Sequence, residues 1–142
     1  MPVRMLPLVA ASLLSAAVAA AADLAQPTLD ELKWVARPII IFADSPADPR
    51  VRTQLADLEA HKPALDERDV VVLVDTDPAA RSELRQTFRP RDFSVLVLGK
   101  DGEVKYRKPQ PITVREVLRL IDRMPLRRQE IESRQGGGNT GG

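Results

Sequence analysis

Cysteine is absent from this chain, and histidine occurs once, as His61. Without a thiolate there is no nucleophile for thiol–disulfide exchange, no peroxidatic sulfur and no thiolate ligand for structural zinc. A lone histidine rules out His-rich metal sites and argues against His-dependent triads. An excess of one charge is also missing: 21 Lys and Arg face 20 Asp and Glu. The total charge therefore points to neither nucleic acid nor an anionic membrane as the main partner. With no disulfide possible, stability must come from buried apolar area.

What is present begins at the N-terminus. Arg4 precedes an apolar run from Met5 to Ala20, broken only by Pro7, Ser12 and Ser15. Ala20-Ala21-Ala22 before Asp23 fits the small-residue cleavage rule, as does Ala17-Val18-Ala19. An uncleaved anchor is the alternative, but the run is short for a span of about 20 residues and rich in weakly apolar alanine. No cysteine follows it, which excludes a lipoprotein. Residues 1–22 are thus expected to be a cleaved export signal for a periplasmic or secreted protein with no membrane span. Removing them takes away Arg4 alone among charged side chains, leaving 20 basic against 20 acidic residues. Residues 23–131 suffice for one domain. The polar, then glycine-rich stretch 132–142 reads as a disordered tail.

Thr28-Leu29-Asp30-Glu31 forms a capping box and predicts a short helix through Trp34, ended by Arg37-Pro38. Ile39 to Ala43 and Val70 to Val74 are continuous apolar runs, predicting two strands buried on both faces of a parallel sheet. Asp48-Pro49 starts a helix whose stripe is Val51, Leu55 and Leu58; a polar stretch from Ala64 to Arg68 follows. Asp77-Pro78 repeats the device, with Ala80, Leu84 and Phe88 facing inward. Ser94 to Leu98 predicts a third strand. The Asp-Gly of Gly99-Lys100-Asp101-Gly102 predicts a tight hairpin with positive φ at both central residues, leading to an edge strand at Glu103–Arg107. A second capping box at Thr113 opens a last helix, with Val114, Leu118 and Ile121 inward and Pro125 as its stop. The order β-α-β-α-β-β-α, behind a short N-terminal helix, implies an α/β domain of three layers around a mixed four-stranded sheet.

That order resembles the thioredoxin fold. More closely, the chain resembles a family of exported thioredoxin-like domains known as domain of unknown function 4174, whose animal relatives include extracellular-matrix proteins with sushi repeats. The likeness lies in Trp34-Val35-Ala36-Arg37-Pro38, in Phe42 to Arg50, in Asp69 to Asp77, in Leu98 to Gly102, and in Ile121 to Pro125. The resemblance implies a fold and export, and no established reaction. Thioredoxin's redox cysteines sit where the first strand meets the first long helix, which here is Asp44 to Asp48. Its cis-proline position falls on Ser94, with Pro90 four residues earlier. Both hallmarks are missing.

Three constellations remain. Asp44, Ser45, Asp48 and Arg50, with Arg52, Arg89 and Arg91 predicted nearby, form a candidate partner- or anion-binding surface at a helix N-terminus. The alternative is that Asp48 caps the helix and the arginines are solvated or paired. Asp75-Thr76-Asp77 looks like the first motif of haloacid-dehalogenase-type phosphatases, but Ala79 stands where threonine belongs, and Asp77 fits an N-cap. Asp44, Asp48, Asp75 and Asp77 could also hold a divalent metal at one sheet edge, although carboxylates at strand–helix junctions are most often caps. Trp34 and Phe42 read as core, and Lys105, Arg107 and Lys108 as a solvated edge strand. The expected function is a non-catalytic exported module, needing no cofactor, that binds a protein or an envelope or extracellular component. An enzyme or carrier for a small anionic ligand is the alternative.

Overall fold

The computed structural model describes residues 26–137. The expected export signal, residues 1–22, and the end of the expected tail, residues 138–142, lie outside the described residues. The elements are α1 (Leu29–Leu32), β1 (Arg37–Phe42), α2 (Pro49–Ala60), α3 (Lys62–Glu67), β2 (Val70–Asp75), a 3-10 turn (Pro78–Ala80), α4 (Glu83–Phe88), β3 (Ser94–Leu98), β4 (Val104–Lys108), α5 (Val114–Asp122) and α6 (Pro125–Gly137). The sheet order is β2-β1-β3-β4. β1 and β2 run parallel; β3 is antiparallel to β1 and to β4.

Alternating side chains divide the core. Ile39, Ile41, Val95 and Val97 meet Val51, Leu58, Val117 and Ile121 of α2 and α5 on one face. Ile40, Phe42, Leu73, Leu96 and Leu98 meet Leu32 of α1, with Leu84 and Phe88 of α4, on the other. The result is the predicted three layers. Asp48 and Thr113 cap α2 and α5, the latter in a full capping box. The buried Gln54 amide accepts from Ile112 N–H and donates to its carbonyl at 2.8 and 2.9 Å, pinning the approach to α5.

Several expectations need correction. β2 is an edge strand, so Val71, Val72 and Val74 are only half-buried. Residues 64–68 are largely helical, because Pro63 sits in the first turn of α3. The helix after Asp77 is broken at Arg81, which takes φ 46°, so Ala80 is exposed and Ser82 caps α4 afresh. In the hairpin only Gly102 has positive φ, at 80°. Gly102 N–H reaches the Gly99 carbonyl and Gly99 N–H the Glu103 carbonyl, a three-residue loop closed by a left-handed glycine. Val117 takes the buried place expected of Leu118, which is half-buried.

The ends of the chain depart further. α1 stops at Leu32, and Trp34 turns to φ 66° with its N–H on the Lys100 carbonyl, leaving the indole 65% exposed rather than in the core. Pro125 ends α5 but opens α6 as its first residue, so residues 132–137 are helical. α6 also draws Arg127 inward: only 2% exposed, it reaches the Glu67 carbonyl and the carboxylates of Glu67, Asp122 and Glu130. Arg37, 1% exposed at the start of β1, forms a fork onto Glu130 at 3.1 and 3.3 Å and also donates to the Arg68 carbonyl. Lys100 bridges Glu130 and Asp69, and Arg68 holds Asp122. Burial pushes the Glu130 carboxyl up, but Lys100 and Arg37 outweigh it and hold the group below its ordinary range.

Candidate functional site

The opposite end of β1 carries the residues singled out in the sequence. Phe42 pairs with Ser94, so the loop 89–93 entering β3 lies beside the loop leaving β1. The two are clamped by Arg50. Its guanidinium meets Asp48 at 2.7 Å and both oxygens of Asp92 at 3.0 Å, with its carbon 5.0 Å from the centre of the Phe93 ring. Asp48 also accepts the Arg50 N–H at 2.9 Å. The Arg50 side chain, then its backbone N–H, hold the Asp48 carboxyl below its usual range. Asp48 and Asp92 in turn raise Arg50. Arg50 is therefore a cross-loop brace whose charge is already answered.

The neighbouring arginines differ. Arg89, Arg91 and Arg107 line a hollow of about 320 Å³ with Phe93, Ser94 and Pro109. No acidic residue lines it. Arg107 donates to the Phe88 carbonyl at 2.9 Å, which steadies its guanidinium on the rim. The Arg89 and Arg91 guanidinium groups have no hydrogen-bond or ion-pair partner among the described residues. Arg89 is set in place as the left-handed C-cap of α4, at φ 45°. Two positive φ values, at Arg89 and Asp92, bend this loop around the hollow. Such a rim suits a planar or tetrahedral anion, because each guanidinium offers a fork of donors.

The structure thus joins Asp48, Arg50 and Asp92 in one clamp, and Arg89, Arg91 and Arg107 around one hollow. Asp44 is exposed and makes no hydrogen bond among the described residues; Ser45 is spent on the Ala47 N–H, and Arg52 is exposed on α2. Arg107 was missed because its strand reads as a charged edge. Its register opposite Leu96 puts it at the mouth of the hollow, but that register follows an irregularity between Val97 and Leu98, so a straight count of pairs back from the hairpin would have set it opposite Val95, on the other face.

The four aspartates do not gather. Asp75 takes the Ser82 hydroxyl and Arg85 Nε, the latter at 2.8 Å, and Arg85 continues to the carbonyls of Ala43 and Asp75. Burial pushes the Asp75 carboxyl up, but Ser82, Arg85 and the Asp77 N–H hold it below its usual range. Asp77 caps the 3-10 turn through the Ala79 N–H. Among the described residues no group of three or more His, Cys, Asp or Glu is placed to hold a metal. Asp75 is a structural anion: it fastens the ends of β1, β2 and α4 together through Arg85. That arginine, 5.6 Å from the Phe42 ring, was also missed.

Known proteins bear on this arrangement in three ways. The family described as "Domain of unknown function (DUF4174)" matches residues 28–130. Among solved structures, a malaria-parasite thioredoxin-2, described as a component of the parasite's protein secretion machinery, aligns with a TM-score of 0.50. It is 12% identical, with 63% of this chain and 84% of that chain covered. The reduced 2-Cys peroxiredoxin of Plasmodium vivax aligns with a TM-score of 0.54 at 14% identity, over 72% of this chain and 83% of its own. Such identities speak for the fold alone, and the fold is thioredoxin-like. Among curated proteins none matches. No described helix is long and apolar enough to cross a membrane.

Proposed function

The chain belongs to the DUF4174 family, and from that premise we propose that it is an exported, non-catalytic recognition module whose thioredoxin-like scaffold binds through charge where its relatives by fold use sulfur. The partner is a protein or an envelope or extracellular component presenting acidic groups. Kinship with sushi-repeat matrix proteins is part of this reading. The observation that carries it is the hollow rimmed by Arg89, Arg91 and Arg107 without an acidic residue in its lining. Absence of any cysteine leaves this chain no group for thiol–disulfide exchange.

Isothermal titration with a glutamate-rich peptide at low salt tests the reading. Binding is expected, weakened by salt and abolished in the double variant Arg89→Ala, Arg91→Ala. Absence of heat with the unmodified protein, or binding indifferent to that variant, sinks it. The hollow's size also suits a small anion carried alone; a thermal-shift screen of phosphates and organic acids addresses that second reading. A metal-dependent version has less to draw on, since Asp48 and Asp75 are already taken by Arg50 and Arg85.

A further inference from the structure

The two edges of the sheet are protected unequally. β4 carries Lys105, Arg107 and Lys108 and is followed by Pro109, devices that discourage a second strand from pairing there. β2, at the other edge, reads Val70-Val71-Val72-Leu73-Val74 before Asp75, with no charge, proline or glycine among the five. Its regular register with β1 shows no bulge. The Asp69 and Asp75 carbonyls accept from Arg37 and Ala43, so the odd-numbered residues turn their backbone groups toward β1. Val70, Val72 and Val74 therefore turn theirs outward. Gln26, whose side chain accepts the Val74 N–H at 3.2 Å, makes the one hydrogen bond to this outer row found among the described residues. A hollow of about 370 Å³, lined by Leu58, Leu65 and Val72 and by the charged Glu59, Lys62 and Asp66, runs beside it.

The geometry points to β2 as a self-pairing edge, on which β2 of a second copy of this chain adds in antiparallel orientation. An antiparallel strand centred on Val72 sets Val72 against Val72 and Val70 against Val74. Each outward N–H then meets a partner carbonyl in hydrogen-bonded pairs. Val74 exchanges the Gln26 amide for a backbone acceptor. Every pair from Val70 to Val74 is apolar, so like charges meet only at the two ends. There Asp75, the last residue of β2, faces Asp69 of the other copy, but each is already held by a cation of its own chain, Arg85 and Lys100, at 2.8 Å. The same operation on β4 would stack lysine and arginine against their own kind. A second copy is thus the occupant whose charge pattern matches this edge, and a two-fold pairing of identical strands is closed and self-limiting.

Sedimentation equilibrium of the purified protein, with and without Val72→Pro, tests this. Proline is tolerated at an edge position whose N–H faces outward, so the variant removes the central donor while leaving the bonds to β1. The expected result is twice the chain mass for the unmodified protein and a single chain mass for the variant, with unchanged circular dichroism. A monomer at every concentration overturns the proposal, as does a dimer that survives in folded Val72→Pro. If the variant fails to fold, amide hydrogen exchange of the unmodified protein decides. The Val72 N–H should exchange more slowly as concentration rises. Fast exchange at all concentrations, or protection only when a foreign extended peptide is added, overturns the second-copy assignment.

Discussion

At the Arg37 end of β1, arginine is enclosed: Arg37 and Arg127 lie almost wholly buried, answered by Glu130, Asp122 and Glu67 from α6, α5 and α3. At the Ala43 end, two kinds of arginine occur. Arg50 and Arg85 are paired with aspartates and brace the loops, whereas Arg89 and Arg91 have no side-chain partner among the described residues and stand around an open hollow. The same side chain is thus structural in some places and available in others. The difference is set by whether the packing brings a carboxylate to it, from a helix as at Arg37, or from a loop or strand as at Arg50 and Arg85.

The largest expected effect probes the enclosed pole. Glu130→Gln leaves Arg37, Lys100 and Arg127 sharing fewer negative charges inside the protein. Removing one partner of a buried ionic cluster costs about 3–5 kcal/mol. Urea unfolding measures it, and a loss below about 1 kcal/mol would mean the cluster is better hydrated than its burial indicates. Asp75→Asn should follow, at about 2–3 kcal/mol, because Arg85 loses its counter-charge while still reaching the Ala43 carbonyl.

Acid titration sharpens the same contrast. Glu130 and Asp75 carry carboxyls held below their ordinary range. The stability they contribute is therefore complete above the unfolded-chain pKa of about 4, and is lost as pH falls through the lower folded values. Thermal melts from neutral pH downward should show this decline in the unmodified protein and a shallower one in Glu130→Gln. Identical acid profiles would remove Glu130 from the account.

The smallest effect on stability is expected at the open pole. Arg89→Ala with Arg91→Ala should stay within about 0.5 kcal/mol of the parent, as surface changes usually do. A loss of several kcal/mol in the same urea assay would show these arginines to be structural after all, and the comparison between the poles would dissolve.

Much of the frame was legible in the chain itself. Ile39 to Ala43 and Ser94 to Leu98 announce buried strands, since a strand covered on both faces reads as an unbroken apolar run. Asp48-Pro49 and the Thr113 box announce helix starts through local chemistry that the structure reproduces. The failures were of another kind. Val70 to Val74 reads like β1, yet sits at an edge, because strand order is not written in local pattern. Trp34 was expected inside and is exposed, and nothing in the local pattern marks Arg127, which is buried. Of the site, Arg89 and Arg91 were foreseen, whereas Arg107, Arg85 and Asp92 became visible only when separate segments met.

Sequence alone determined the absence of thiol chemistry, the strand and helix starts, and the layered α/β architecture, since each depends on residue identity or on short-range periodicity. The tertiary structure decided which arginines are neutralised, which strand is left with an open edge, and which aspartates are consumed. Several of those outcomes depend on contacts between residues far apart in the chain, such as Arg50 with Asp92, 42 positions on, and Arg37 with Glu130, 93 positions on. Charge is a property of a residue, but its availability belongs to the packing around it.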